Sequence, residues 1–338
     1  MIEKEFYNFK PLSDPIPIAE QKWPEGITPL VHTQTMTYNH GNFIRECIEG
    51  ILIQKTTFPV QILIHDDDST DNTAEIVNEY QKNYPNLIKA YYQIENSYTK
   101  LDKHERRSEF MNWKKGKYIA LCEGDDYWTD PYKLQKQVDF MENNPKYSFC
   151  GSEILIEDES GNILDKFPYL HKGQSKFIFN LENYLFYPFS VFHTSSIVMR
   201  NYTDFITDKL SKYTLGDLAI TVALLNIGNG YMFNEKFSVY RIHIGGIWSN
   251  GSITPSIEKI KIKIKNYERL SIDYPSTKNY IPPIKKHLYN NLAMKYAKKG
   301  DIIKSLYYYL IGLPSSSDFV EKNWIERLYY NLFLYKKR

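Results

Sequence analysis

The sequence has few cysteines and lacks several motifs that identify common enzyme classes. Its three cysteines, Cys47, Cys122 and Cys150, are scattered, and no CxxC or Cys/His spacing typical of zinc sites occurs. Each lies in an apolar stretch, so we expect buried free thiols and a reducing compartment. No GxGxxG, GxxxxGK[ST] or GxSxG motif is present. Their absence argues against a dinucleotide cofactor, a P-loop enzyme and a hydrolase of the nucleophile-elbow type.

Long hydrophobic runs are also absent. No stretch approaches the roughly 20 apolar residues that cross a bilayer, and the first residues lack the apolar core of a signal peptide. The formal net charge is only +2, so no overall field indicates a nucleic-acid partner. These features predict a cytoplasmic protein.

The chain of 338 residues is long enough for one large domain and an extension. Proline-rich residues 1–27 predict an extended tail, and residues 28–254 predict the main domain. Residues 255–338 are rich in lysine and tyrosine and predict a helical extension. Its last predicted helix, near 324–335, is followed by three basic residues. We expect this helix either to dock on the domain or to lie on an anionic membrane surface.

Strand and helix patterns alternate through the first part of the chain. Short apolar strands are predicted at 30–37, 60–64, 87–93 and 118–122, and helices at 43–54, 73–83 and 99–115. Asn42 is a candidate N-cap for the first helix. This alternation predicts an α/β fold with a mainly parallel, Rossmann-like sheet that binds a nucleotide.

Carboxylates follow two of these predicted strands. Asp66, Asp67 and Asp68 come after the second, while Glu123, Asp125 and Asp126 come after the fourth. The carboxyl ends of parallel strands share one edge, where open α/β sheets bind ligands. Close carboxylates repel unless a cation joins them, and Mg²⁺ or Mn²⁺ suits these oxygen donors and shares them with phosphates. The alternative is a solvated acidic turn.

Three other functions are compatible with parts of this pattern. Asp66, Asp68 and Thr70 fit the DxDxT motif of haloacid-dehalogenase-type phosphatases, but a strand and a helix precede them, whereas in that family the motif follows the first strand. A sugar nucleotidyltransferase needs a glycine-rich basic loop after the first strand, and residues 38–42 contain one glycine and no lysine or arginine. A carbohydrate-binding module would explain the aromatic residues but not the ordered acids.

The complete, ordered set of motifs resembles that of the family 2 glycosyltransferases, which have the GT-A fold. The resemblance covers about residues 30–250. The matching segments are Thr37-Tyr38-Asn39, Asp66–Asp71, Gly116–Pro131, Gly216-Asp217 and Tyr240–Gly246.

This resemblance implies a role for each motif. Thr37, Tyr38, Asn39 and Asp67 would bind the nucleotide, with Tyr38 stacking on the base and Asp67 accepting its imide N–H. Glu123-Gly124-Asp125 corresponds to the metal-binding DxD motif, with glutamate in first place, and Asp126 would orient the donor or acceptor. His243 would approach the metal or diphosphate, and Arg241 the leaving group. The metal ligands implied are therefore Glu123, Asp125 and His243.

Asp217 would be the general base that removes the acceptor's proton. From the residues alone, Asp217 could instead cap the following helix, His243 could be a core histidine, and Arg241 a surface arginine. Arg106 and Arg107 could contact phosphate or lie on an exposed helix face, and Trp248 could close a loop over the donor.

The resemblance implies an inverting, Mn²⁺- or Mg²⁺-dependent hexosyltransferase. It would move a sugar from a nucleotide donor, most simply a UDP-sugar, to a hydroxyl of a glycan or lipid-linked glycan. Its lysine-, tyrosine- and asparagine-rich composition suits bacterial polysaccharide, O-antigen or capsule assembly. We expect a cytoplasmic location, peripheral on the inner face of the membrane.

Overall fold

The computed structural model describes residues 8–96, 108–167, 177–185, 191–202, 212–246 and 255–313. The chain divides into two compact units, and the main boundary between them lies between Thr254 and Pro255. The predicted helix near 324–335, the pair Arg106 and Arg107, and Trp248 lie outside the described residues. The limits predicted for the main domain and the extension stay predictions.

The first unit contains all of the strands in the described part of the chain. They are β1 (Ile16–Pro17), β2 (Val31–Thr37), β3 (Lys55–Thr56), β4 (Val60–Asp66), β5 (Ile88–Tyr92), β6 (Tyr118–Leu121), β7 (Tyr127–Trp128), β8 (Tyr147–Asp158), β9 (Ile163–Phe167), β10 (Ile178–Phe179), β11 (Val198–Arg200) and β12 (Asn229–Ile242).

The α-helices of the described residues are found in both units. Those of the first unit are α1 (Ile44–Leu52), α2 (Thr73–Asn83), α3 (Ser108–Asn112), α4 (Lys133–Asn143), α5 (Leu181–Leu185, whose last residue belongs to the second unit) and α6 (Gly216–Leu225). Those of the second unit are α7 (Ile257–Asp273), α8 (Ile281–Lys298) and α9 (Ile302–Ile311).

One mixed sheet forms the centre of the first unit. Its order is β10-β12-β8-β11-β6-β2-β4-β5, with β7 paired to β12 and β9 to β8. The half formed by β6, β2, β4 and β5 is parallel, as predicted. The other half departs from that pattern because β11 runs antiparallel between β6 and β8. The fold is α/β, and the carboxyl ends of β2, β4 and β6 meet at one edge.

Apolar periodicity explains how these elements assemble. In β4, six of the seven side chains are buried, as expected for a strand covered on both faces. Ile44, Cys47, Ile48 and Ile51 of α1 are fully buried at helical spacing. Burial of one such isoleucine contributes about 2 kcal/mol, so α1 is held mainly by packing on the sheet.

The predicted N-cap of α1 is wrong. Phe43 occupies the N-cap position, and its side chain makes no capping hydrogen bond. The carbonyl of His40 instead accepts from the backbone N–H groups of Phe43 and Ile44, at 2.8 Å each. The loop therefore folds back through its backbone, which places His40 beside the start of the helix.

The described part of the predicted tail, residues 8–27, is joined to the fold. β1 pairs antiparallel with β3, and Ile18 is only 3% exposed in the hydrophobic core. An extended segment was predicted. Its pairing with β3 was not, because a strand of two residues is too short to show an alternating apolar pattern.

The second unit is a set of helices packed through aliphatic side chains. Ile260, Leu270, Leu288 and Leu292 are almost fully buried. The helix starts at α7 and α9 are capped by the side chains of Ser256 and Asp301. In the part of the chain described here, no helix combines the length and the apolar character needed to cross a bilayer.

Candidate active site

Two groups of carboxylates flank the carboxyl end of the central strand β2. We call residues Asp66–Asp71, at the end of β4, the first acidic edge. Residues Glu123–Asp126, just after β6, are the second acidic edge. Because β4 and β6 pair with β2 on opposite sides, the loop that follows β2 lies between the two edges.

Two carboxylates of the first acidic edge, Asp66 and Asp71, accept hydrogen bonds from nearby loop residues. Asp66 accepts hydrogen bonds from the backbone N–H and the hydroxyl of Ser69. Asp71 accepts from the backbone N–H of Thr73 at 3.0 Å and from that of Gly41 at 2.9 Å. Burial alone would raise the pKa of Asp71, but a hydrogen bond from the Thr73 hydroxyl and these two backbone bonds hold it below its ordinary value. Asp71 therefore ties the loop after β2 to the first acidic edge.

Asn39 also joins these two loops. Its backbone N–H donates to the Ser69 hydroxyl at 2.9 Å, and its side-chain oxygen accepts from the Thr70 N–H at 2.8 Å. Asn39 and Asp68 both have left-handed backbones, with φ of 55° and 66°. Asparagine and aspartate tolerate this conformation better than most residues. The side chain predicted to bind the nucleotide is thus occupied in positioning the loop.

The other predicted nucleotide-binding residues differ in exposure. Tyr38 is 38% exposed at the tip of the loop, whereas Thr37 and Asp67 are 3% and 4% exposed. The Asp67 N–H donates to the Thr37 carbonyl at 3.0 Å, and the Asp67 carbonyl accepts from Asn96. Tyr38 is therefore the member of this group that presents a broad apolar surface to solvent.

Gly124 allows the second acidic edge to approach the end of β2. A Cβ at this position would lie 2.6 Å from the Thr37 hydroxyl oxygen and 2.9 Å from Nδ1 of His40. Its N–H donates to the Met36 carbonyl at 2.9 Å. Glycine between the two acids is therefore required by close contact between neighbouring strand ends.

Asp125 faces two histidines. Its Oδ2 lies 3.1 Å from Nε2 of His243 and 3.7 Å from Nε2 of His40. Burial alone would raise the pKa of Asp125, but the hydrogen bond to His243 and the neighbouring imidazoles hold it below its ordinary value. Asp125 is therefore ionised at neutral pH. The ring of His243 also contacts Phe43, with centroids 4.5 Å apart.

Glu123 has the opposite environment. Burial, together with the charges of Asp125 and Asp217, raises its pKa to about 7, while the Thr194 hydroxyl opposes this by donating a hydrogen bond. Its Oε2 is buried without a hydrogen-bond partner in the described residues. The second acidic edge thus pairs an ionised aspartate with a glutamate that titrates near neutral pH.

Asp217 reaches this cluster from a distant part of the sequence. It lies half-buried in the first turn of α6, whose N-cap is Leu215. The alternative that Asp217 itself caps the helix is therefore wrong. Its charge is close enough to raise the pKa of Glu123. Asp217 and Glu123, 94 positions apart in sequence, therefore lie within electrostatic reach of each other.

Asp126 is buried beneath the cluster. It is 1% exposed, and its Oδ1 accepts from the backbone N–H of Arg241 at 3.1 Å. Burial, reinforced by the charges of Asp125 and Glu123, raises the pKa of Asp126 well above its ordinary value. This location makes Asp126 part of the floor of the site, away from solvent.

Arg241 is occupied by protein groups. Its guanidinium donates to the Asp125 carbonyl at 3.2 Å, pairs with Glu46 and lies 3.6 Å from Glu157. It stacks over Tyr127 at 4.2 Å and is only 6% exposed. Neither the predicted contact with a leaving group nor the alternative of a surface arginine fits this placement. Arg241 instead braces the second acidic edge.

His193 borders the same floor. Its Nδ1 accepts from Ser195 and lies 3.8 Å from Oδ2 of Asp126. Burial lowers the pKa of His193 to about 4, so the imidazole is neutral at physiological pH and forms no ion pair with Asp126. Its ring contacts Tyr240, with centroids 4.4 Å apart.

A divalent metal fits this site only if other ligands complete its coordination. No three histidine, cysteine, aspartate or glutamate side chains of the described ranges are arranged to hold an ion by themselves. Asp125 nevertheless offers an ionised oxygen, and Glu123 offers a buried, unpartnered one. Mg²⁺ commonly binds one or two carboxylates together with substrate phosphates. These residues fit an ion shared with a phosphate-bearing ligand.

Comparison with known proteins identifies the family. Residues 35–202 match the family model described as "Glycosyl transferase family 2". The putative teichuronic acid biosynthesis glycosyltransferase TuaG of Bacillus subtilis is 31% identical over 229 residues, which cover 66% of this chain and 82% of TuaG. The chain belongs to glycosyltransferase family 2. These matches do not favour the phosphatase or the nucleotidyltransferase.

Two other relatives are matched over a smaller share of their own length. Mycobacterium tuberculosis Rv1520 is 33% identical over 216 residues, which cover 63% of this chain and 59% of that protein. The chain thus spans less than two thirds of that relative. The Escherichia coli enzyme "UDP-Glc:alpha-D-GlcNAc-diphosphoundecaprenol beta-1,3-glucosyltransferase WfaP" is 34% identical over 130 residues, covering 38% of this chain and 48% of WfaP.

Solved structures identify the family 2 fold as GT-A. Staphylococcus aureus TarS 1–349 in complex with UDP-GlcNAc has a TM-score of 0.52 at 14% identity, covering 81% of this chain and 89% of that one. The mannosyltransferase PcManGT from Pyrobaculum calidifontis, in complex with GDP-Man and Mn²⁺, has a TM-score of 0.53 at 13% identity, covering 98% and 86%. The predicted fold class is confirmed.

Sequence reasoning missed several residues at the site. His40 and His193 contact the second acidic edge, and Thr194 donates to Glu123. His40 and His193 lie in irregular segments and Thr194 begins a single 3₁₀ turn, Thr194–Ser196, so no periodicity marks an inward-facing side chain. His40 could have been suspected because it directly follows the Thr37–Asn39 motif.

Proposed function

We propose that this family 2 protein is an inverting, metal-dependent hexosyltransferase with a nucleotide-sugar donor. The observation that carries the proposal is the pairing of Asp125 with His243 at the carboxyl edge of the sheet, beside Glu123, whose pKa is raised in part by the charge of Asp217. A single displacement requires a carboxylate that can accept the acceptor's proton close to the groups that bind the donor diphosphate.

The nucleotide would bind between the two acidic edges. Tyr38 is proposed to stack on the base, since its ring is exposed at the tip of the loop. Asp67 is proposed to accept the base imide N–H, with Thr37 and Asn39 shaping the loop through their backbone and side-chain contacts. A UDP-sugar is the favoured donor because TarS was crystallised with UDP-GlcNAc and WfaP is named for UDP-Glc.

Glu123, Asp125 and His243 are the residues proposed to lie around a divalent ion, with Asp125 as the main ligand. When bound with the donor, Mn²⁺ or Mg²⁺ would supply positive charge that stabilises the departing diphosphate. PcManGT, which shares the fold, was solved with GDP-Man and Mn²⁺. His243 would keep Asp125 oriented through its hydrogen bond, and Arg241 would fix the backbone of the same edge.

Asp217 is proposed to take the proton of the acceptor hydroxyl as that oxygen attacks the anomeric carbon. The bond between this carbon and the diphosphate oxygen would break at the same time, inverting the configuration. The acceptor is proposed to be a glycan or a lipid-linked glycan of a bacterial surface polymer, as the names of TuaG and WfaP suggest. This assigns the enzyme to the cytoplasm or the inner membrane face.

The proposal is tested by replacing the base without changing its shape. Asp217→Asn is expected to lower turnover by about 10³-fold, within the range of general base catalysis, while donor affinity stays within about threefold. Release of nucleoside diphosphate from a donor panel, with and without Mn²⁺, measures both. Asp139→Asn, an exposed carboxylate of α4, is the control.

Two results would contradict the proposal. Near-normal turnover of Asp217→Asn would remove this residue from the role of base. Retention of anomeric configuration in the product, read by NMR, would exclude a single displacement.

A further inference from the structure

The outer face of α9 is apolar and exposed. We use this name for Ile302, Ile303, Leu306, Tyr307, Tyr309 and Leu310, which are between 53% and 84% exposed. No residue of α9 itself is buried. An uninterrupted apolar surface of this kind usually marks an interaction site.

Packing among the described helices of the second unit does not involve this face. α9 contacts α8 through its opposite side, where the Ser305 hydroxyl donates to the Ala293 carbonyl at 2.9 Å. On the same side, Tyr308 stacks on Tyr296 with centroids 5.5 Å apart and an interplanar angle of 2°. The helix is thus fixed from one side, and the outer face is left for another surface.

Positive charge surrounds the outer face. Residues 255–313 contain twelve lysines and arginines and four acids, a formal charge of +8, while the whole chain has +2. Lys298 and Lys299 are exposed just before α9, and the Lys261 and Lys304 ammonium groups lie within 5.7 Å of the Tyr296 ring centroid.

Lysines also lie at the other end of the helix. Lys278, Lys285 and Lys286 line a shallow cavity together with Ile311, the last residue of α9, and with Glu268, which pairs with Lys285. The apolar surface is therefore bordered by basic side chains at both ends. Lysines around an apolar and aromatic helix face form the pattern that binds an interface between acyl chains and anionic headgroups.

We propose that the outer face of α9 inserts into the surface of an anionic membrane, with the neighbouring lysines on lipid phosphates. Charge selects this occupant over two others. A second copy would bring another +8 unit against the first. Residues 314–338 carry five basic and three acidic residues, so they offer no negative complement. The proposal does not depend on which sugar is transferred, because the surface lies outside the first unit.

Vesicle flotation of the full chain tests the proposal. Binding to vesicles of phosphatidylcholine mixed with anionic phosphatidylglycerol is expected to exceed binding to pure phosphatidylcholine by at least about tenfold, since each lysine near an anionic surface contributes about 1 kcal/mol. Raising the salt concentration is expected to weaken binding, because lysine–headgroup attraction is screened.

A matched pair of substitutions tests the surface itself. Ile302 of α9 and Ile272 of α7 are 67% and 68% exposed in the same unit. Ile302→Glu is expected to lower vesicle binding by about tenfold, since it removes apolar insertion and adds a negative charge. Ile272→Glu adds the same charge on α7, at a residue that is not part of the outer face, and is expected to change binding by less than about twofold.

Three outcomes would overturn the inference. The first is no binding to anionic vesicles, or equal losses in the two variants. The second is a concentration-dependent dimer in analytical ultracentrifugation that Ile302→Glu abolishes, which would assign the face to a second copy. The third is that the parent does not bind vesicles while Ile302→Glu has a lower melting temperature than the parent. That result would assign the outer face to contact with residues 314–338. Transferase activity enters none of these readouts, so they remain separate from the proposed function.

Discussion

The first and second acidic edges follow strands on either side of β2, yet their carboxylates have different partners. Asp66 and Asp71 accept hydrogen bonds from backbone and hydroxyl groups of their own loop and its neighbour. Asp125 faces the imidazoles of His40 and His243. Acids alone therefore do not define a reactive site. The groups that surround them decide whether a carboxylate organises the chain or stays available to a ligand.

The sharpest test of this comparison makes the same change at each edge. Asp125→Asn is expected to lower turnover by about 10³-fold, because it removes the ionised oxygen proposed to share a metal with the donor. Asp68→Asn is expected to stay within about threefold, since Asp68 is exposed and asparagine tolerates its left-handed backbone. Steady-state kinetics measure both. Similar losses would mean that the edges share the chemistry.

The second test concerns how closely the second acidic edge approaches β2. Gly124→Ala is expected to lower the free energy of unfolding by about 1–3 kcal/mol, because the new methyl group would collide with Thr37. Gly216→Ala is the matched control, since a Cβ there meets nothing within 4 Å. Urea unfolding followed by tryptophan fluorescence measures both. A neutral Gly124→Ala would show that the strand ends can separate freely.

The third test addresses donor binding beside the first acidic edge. Tyr38→Ala is expected to raise the donor KM about tenfold with a smaller change in kcat, as loss of base stacking predicts. Tyr132 is the matched control, because it is 40% exposed and Tyr38 is 38% exposed. Tyr132→Ala is expected to leave the donor KM unchanged. An unaltered KM in Tyr38→Ala would place the base elsewhere.

The smallest expected effect is the pH dependence of Asp71. Hydrogen bonds outweigh burial and lower its pKa in the folded protein, so its contribution is present above the unfolded pKa of about 3.8 and is lost as the pH falls through the folded pKa. Because Asp71 is exposed, solvent screening reduces the effect, and Asp71→Asn is expected to be less stable than the parent by only about 0.5 kcal/mol at pH 7. Chemical denaturation from pH 7 to 3 should show this gap closing. A gap independent of pH would mean that the charge of Asp71 contributes nothing.

The local parts of the fold could be predicted from the sequence. Apolar runs and helical spacing predicted β2, β4, β5, β6 and the helices between them, because these signals depend only on neighbouring residues. The antiparallel insertion of β11 between β6 and β8 could not be predicted, since strand pairing is decided by contacts far apart in sequence. The backbone turn at His40, which replaces the predicted side-chain cap, could not be predicted from the residue types in this loop either.

Ordered motifs predict which residues come near one another better than they predict the contacts of each side chain. Asp125 and His243 were expected together and lie 3.1 Å apart, and the charge of Asp217 contributes to the raised pKa of Glu123. Arg241 was assigned to a ligand, but Glu46 and Glu157 occupy its guanidinium. These partners lie on different elements, so a motif on β12 could not reveal them. A sequence motif indicates which residues meet, whereas their competing contacts require the assembled fold.

The reactivity of the buried thiols can be used to measure local unfolding beneath the second acidic edge. Sγ of Cys47 lies 3.8 Å from Sγ of Cys122 and 3.3 Å from the Glu123 carbonyl, while Cys150 is buried on β8. A thiol reagent can reach them only when the surrounding structure opens. Labelling rates under native conditions would therefore give the local opening free energy beneath Glu123. Comparison with the labelling rate of Cys150 would show whether the region beneath Glu123 opens by itself or together with the whole sheet. Donor binding should slow the labelling of Cys47 and Cys122 more than that of Cys150.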